Sequence, residues 1–147
     1  MTPDLIFQLA NSVAPVAWLA MIAAPHHRWV KGMVLSGAFA AVLAALYFLV
    51  VLTHFNFEAG DFMSLQGVTA LLSDPWAMTA GWIHYLAFDL LAGIVLTNKG
   101  YALGFSRWQM LPCQLCTFML GPVGIVLFIA TAKAKRTPWS ALAIGQP

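Results

Sequence analysis

Four windows of this chain, residues 5–24, 33–52, 77–96 and 111–132, are each predominantly apolar over about 20 residues, the length that carries a helix across a hydrocarbon core of about 30 Å. In lipid every backbone N–H and C=O must be satisfied within the segment, and these runs are continuous rather than alternating. Helices are therefore predicted and barrel strands excluded. The expected fold is all-α: a polytopic membrane protein forming one transmembrane domain over residues 1–147, a four-transmembrane-helix bundle with a short polar tail from 133 onward. Composition agrees, since 61% hydrophobic and 8% charged residues with a mean hydropathy of +0.82 lie outside the range of soluble domains. The formal charge is only +2 and no basic block is present, so nucleic-acid binding is set aside. The first window follows Asp4 rather than a basic n-region and is expected to stay in the mature protein.

Between the second and third windows, "FMSLQGVTALL" is too short to span, and its Phe62, Leu65, Thr69 and Leu72 recur at helical spacing. A short interfacial or re-entrant helix is predicted there. With four spans, Arg28, Lys31, Lys99 and Arg107 fall on one side and Lys133, Lys135 and Arg136 on the other. That balance barely discriminates under the positive-inside rule, and both termini are placed outside the cytoplasm. Trp29 and Trp108 on one side, with Trp76 and Trp139 on the other, fit interfacial aromatic belts. Gly32, Ser36, Ala40 and Ala44 recur every four residues and predict a close-packing stripe on the second helix, while "GPVG" at 121–124 predicts a kink or local unwinding in the fourth.

The third window, "GWIHYLAFDLLAG" at 81–93, holds the chemistry. At 100° per residue Gly81, Trp82, His84, Tyr85, Phe88 and Asp89 share one broad face, leaving Ile83, Leu86, Ala87, Leu90 and Ile94 for the rest. An acid at mid-span costs about 2.5–3.5 kcal/mol on insertion scales, so Asp89 is read as a functional group facing the bundle interior; a protonated or paired structural pin is the bland alternative. Asn11 and Trp18 share a face of the first helix, where the amide either bonds a neighbouring helix or orients a ligand. "CQLC" at 113–116 is a lone thiol pair without the further ligands of a tetrahedral site, and is read as two small hydrophobes. No metal and no redox cofactor is expected.

"TAGWIHYLAFDLLAG" resembles the signature of the "abscisic acid deficient four"-like membrane family. The likeness continues through "ANSVAPVAWLAMIAAP" at 10–25, "SLQGVTALLSDP" at 64–75 and "LPCQLCTFMLGPVGIVLF" at 111–128, with Thr117, Gly121 and Pro122 in place. One departure is that Gly93 is followed by Ile94 and Val95 where members often carry Gly-Arg-Trp. Plant members are associated with conversion of violaxanthin, an epoxide, to the allenic neoxanthin, an isomerisation that needs acid and base. For this chain the resemblance implies a membrane protein that binds a carotenoid or related long isoprenoid and acts on it as a cofactor-free isomerase. His84, Asp89 and Tyr85 would be the catalytic groups, and Asn11, Trp18, Trp82, Phe88, Gly81, Gly93, Thr117 and Gly121 the ligand-binding ones.

Two alternatives stay open: a non-catalytic carotenoid- or lipid-binding accessory protein using the same residues, and a small transporter or proton relay centred on Asp89. The expected surroundings are membrane lipid, with a second copy of the chain or a carotenoid-pathway enzyme as protein partner, in the inner (plasma) membrane of a bacterium.

Overall fold

A computed structural model describes residues 2–56 and 58–142, save the side chain of Trp139, which leaves that tryptophan's expected belt position outside the described residues. The described residues form helices and loops with no strand. In chain order the helices are α1 (Pro3–Ala23), a π-helical turn (Val30–Val34), α2 (Ala38–His54), α3 (Leu65–Leu72), α4 (Pro75–Ala102), α5 (Arg107–Leu120), α6 (Pro122–Ala134) and the short α7 (Trp139–Leu142). Among the described residues three stretches are long and apolar enough to cross a membrane: Pro3–Ala23, Val30–His54 and Pro75–Ala102.

The chain divides into two compact units, one of Met1–Val16 with Phe39–Phe88 and the other of Ala17–Ala38 with Asp89–Pro147. In the first, α4 begins at a designed stop. Asp74 Oδ1 accepts from the N–H groups of Trp76 and Ala77, both at 2.9 Å, and Pro75 takes the first helical position, where its missing N–H costs nothing. Before it, the expected short helix forms as α3, with Ser64 accepting from Gly67 N–H at 2.9 Å. Gly67 and Leu71 turn inward, while Phe62, Met63 and Leu65 are 69%, 94% and 85% exposed, an apolar outer surface suited to a membrane interface.

The predicted small-residue stripe does not form. Gly32 and Ser36 are exposed, and a Cβ on Gly32 would meet nothing within 4 Å. The reason is local geometry: residues 30–34 are π-helical and Gly37 turns the chain with φ +89°, so a spacing of four no longer keeps one face. Ser36 Oγ instead donates to Gly32 C=O at 2.7 Å.

In the second unit the fourth apolar window is not one helix. It breaks at Gly121, whose φ of +49° and ψ of −99° no ordinary helix tolerates, and Pro122 starts α6. The two arms then pack against each other. Gly124 lies on Thr117 and on Cys113 C=O near the bend, and Phe128 meets Phe105 at 5.4 Å between ring centroids farther from it. At the open end Lys135 Nζ donates to Gly104 C=O at 3.1 Å and approaches Gln109 Oε1 at 3.5 Å. These pairs converge in antiparallel order, so α5 and α6 are a helical hairpin. With 14 and 13 residues, its arms reach only about 20 Å each, short of a bilayer core. The fourth apolar window, expected as one spanning helix, is thus two short helices folded back on each other, and the basic tail at 133–136 returns to the end where α5 began.

Candidate functional site

Within the first unit, α4 presents its apolar residues inward: Ile83 is 0% exposed, Leu86 8% and Ala87 7%. His84 and Gly81 are exposed, Tyr85 is half-buried, and Trp82 and Phe88 are 37% and 60% exposed. This polar and aromatic face, expected to look into a bundle interior, lies on the outside of its unit, because the aliphatic face is cheaper to bury than an imidazole or an indole N–H.

The outward face is nevertheless ordered by neighbours from α1 and α2. Trp82 Nε1 donates to Asn11 Oδ1 at 2.9 Å, which gives the indole N–H and the amide oxygen a partner on an apolar surface. Its ring stacks on Tyr85 at 5.4 Å and tilts against Phe7 at 5.8 Å. One turn on, the His84 imidazole is held between Phe88 at 4.5 Å and Tyr47 of α2 at 5.3 Å. Together these make the outward face of α4 an exposed aromatic wall of two clusters, one around Trp82 and one around the His84 imidazole. Gly81 is open enough that an added Cβ would reach only Leu72 Cδ2, at an ordinary 3.6 Å.

The remaining predicted residues lie in the second unit. Asp89 is half-buried with Oδ2 sealed from solvent, and its carboxylate rests on the hairpin bend: a Cβ on Gly121 would come within 2.6 Å of Oδ1. Trp18 is 2% exposed, its indole laid on Gly93 so closely that a Cβ there would collide with the ring, and it meets Phe118 at 5.4 Å. Thr117, fully buried, donates to Cys113 C=O at 2.7 Å beside Gly124. Ile94, the departure from the resembled motif, is 4% exposed.

Both thiols are free; Cys113 is buried with Met110, Phe128 and Ala132, and Cys116 is half-buried. Among the described residues no three His, Cys, Asp or Glu side chains gather as a metal site requires.

Sequence reasoning missed two features. Gln114 Nε2 donates to Thr97 Oγ1 at 2.9 Å, with both residues at most 2% exposed, a buried polar link from α4 to the hairpin. Its signal, an amide inside an apolar run, was overshadowed by the flanking thiols. Tyr47, the ring beside His84, was a lone phenol in "AALYFLVV" whose partner only the fold reveals.

No curated protein and no solved structure matches the chain. The family model described as ABA DEFICIENT 4-like matches residues 5–128, from the first turns of α1 to the middle of α6, and so covers the Asn11–Trp82 pair, the His84 wall and the Asp89–Gly121 contact alike. On that match the chain belongs to the ABA DEFICIENT 4-like family.

Proposed function

We propose that this chain is an integral membrane protein, of a bacterial inner membrane, that crosses the bilayer three times, dips the α5–α6 hairpin in from one face, and binds a carotenoid or related long isoprenoid along the outward face of α4. The observation that carries the ligand reading is the exposed His84 ring between Phe88 and Tyr47, on the same broad face of α4 as the Asn11-anchored Trp82. An imidazole turned to hydrocarbon is costly unless something polar meets it. A long polyene with an oxygenated end ring supplies both halves of what this wall offers: a flat apolar body for Trp82 and Phe88, and a hydroxyl or epoxide oxygen for His84.

In the catalytic form of the proposal, His84, Tyr85 and Asp89 exchange the protons that an epoxide-to-allene isomerisation needs, one delivered to oxygen and one taken from carbon. Membership of the family supports this form. The contact of Asp89 with Gly121 favours the accessory-protein form, in which Asp89 holds the hairpin bend and the wall only binds.

The test is the visible absorption spectrum of gently purified protein with its native lipids, followed by mass spectrometry of the extract, for the parent chain and for Phe88→Ala. The expected result is a structured polyene band, with retained pigment reduced several-fold in the variant. A colourless parent protein whose extract holds no isoprenoid would remove the proposal.

A further inference from the structure

The second unit holds a cavity of about 340 Å³ where the end of α1 and its loop meet the end of α4 and the start of α5. Its walls divide by chemistry. Pro25 is buried and Phe105 is 4% exposed, giving an apolar floor. His26, His27 and Arg107 stand exposed at the rim, with the His26 ring set against Tyr101 at 4.8 Å. None of the five Asp and Glu residues lines it. Behind the floor, Lys135 Nζ sits 4.7 Å from the Phe105 ring centroid.

The hairpin makes this end unusual. Because α6 returns antiparallel to α5, Lys133, Lys135 and Arg136 join Arg28, Lys31, Lys99 and Arg107, which places all seven Lys and Arg residues at the end where the cavity opens. Such a concentration marks the cytoplasmic face, whose leaflet carries acidic lipids. A volume in the range of about 300–1,000 Å³ common for small-molecule sites suits a phosphate with its glycerol.

We propose that this cavity binds the phosphate group of an acidic phospholipid. Arg107 engages the phosphate oxygens, His26 and His27 donate to the same group, and Pro25 and Phe105 take the glycerol and the first acyl carbons. Free phosphate offers the same anion, but it would leave the apolar floor unused.

The experiment uses the full chain, delipidated in a neutral detergent and examined by native mass spectrometry. The probes are phosphatidylglycerol, phosphatidylcholine with the same acyl chains, and inorganic phosphate. Arg107→Gln and His27→Gln alter the rim, and Lys31→Gln removes a charge from the same end but outside the cavity. Expected are preferential retention of phosphatidylglycerol, a loss of about tenfold in Arg107→Gln from the missing charge-assisted bonds, and little change in Lys31→Gln. A smaller loss in His27→Gln, on an exposed loop, keeps the test alive if Arg107→Gln fails to fold. Equal retention of the two lipids, equal loss in Lys31→Gln and the rim variants, or displacement of the lipid by millimolar phosphate would overturn the proposal.

Discussion

At Gly121 two requirements coincide. The backbone takes a positive φ that a side chain would strain, and the Asp89 carboxylate occupies the space a Cβ would need. Replacing it by Ala should destabilise the chain by about 1–3 kcal/mol from backbone strain alone, read as a lower thermal midpoint in detergent. Gly121→Ala melting with the parent chain would show that the bend is not built as described. The acid that looks out of place in an apolar helix meets this bend, and Asp89→Asn separates its two roles. If it only holds the bend, the variant should keep the fold and any turnover, whereas loss of turnover by about 10²-fold or more with retained pigment would make it a proton-transfer group. Trp18 is different in kind. Laid on Gly93 and nearly sealed, it is core, and Trp18→Ala should cost about 3–5 kcal/mol, in contrast to Phe88→Ala on the outer wall.

The helices themselves were legible because about 20 apolar residues in lipid leave the backbone few other choices, and α1, α2 and α4 fall close to the windows that hydropathy marks. The short α3 was legible for a similar reason, its apolar residues recurring at helical spacing between polar flanks. Which way α4 turns was not. Periodicity separates two faces of a helix without saying which is inside, and the inward face proved to be that of Ile83 and Leu86. The fold-back of α5 and α6 also escaped the sequence: "GPVG" announces a break, but the return depends on contacts between residues far apart along the chain, such as Phe105 with Phe128. Gln114 and Thr97 tie that hairpin to α4, so Gln114→Leu should strand the Thr97 hydroxyl and destabilise by about 1–3 kcal/mol. Adding Thr97→Val should restore part of the loss, because both polar groups are then gone; a double variant worse than the single one would deny the pairing.

For the whole molecule the hairpin changes the count of charges at each membrane face. A fourth span would divide the basic residues four against three and leave orientation open, whereas the fold-back gathers all seven at one end. Asp4 begins α1 and Asp74 begins α4, so these acids lie at the far ends of helices whose other ends lead into Arg28 and Lys99. With the basic end on the cytoplasmic side, the start of α1 should lie outside the cytoplasm and the tail after α6 inside, whereas four spans would put both termini outside. Cysteine labelling tests this most directly. Single cysteines at His27, Glu58 and Thr137, each in a chain lacking Cys113 and Cys116, would be exposed in intact cells to a membrane-impermeant maleimide and then again after lysis. Glu58→Cys is expected to react in intact cells, while His27→Cys and Thr137→Cys react only after lysis. Labelling of Thr137→Cys together with Glu58→Cys in intact cells would restore a fourth span and contradict the hairpin.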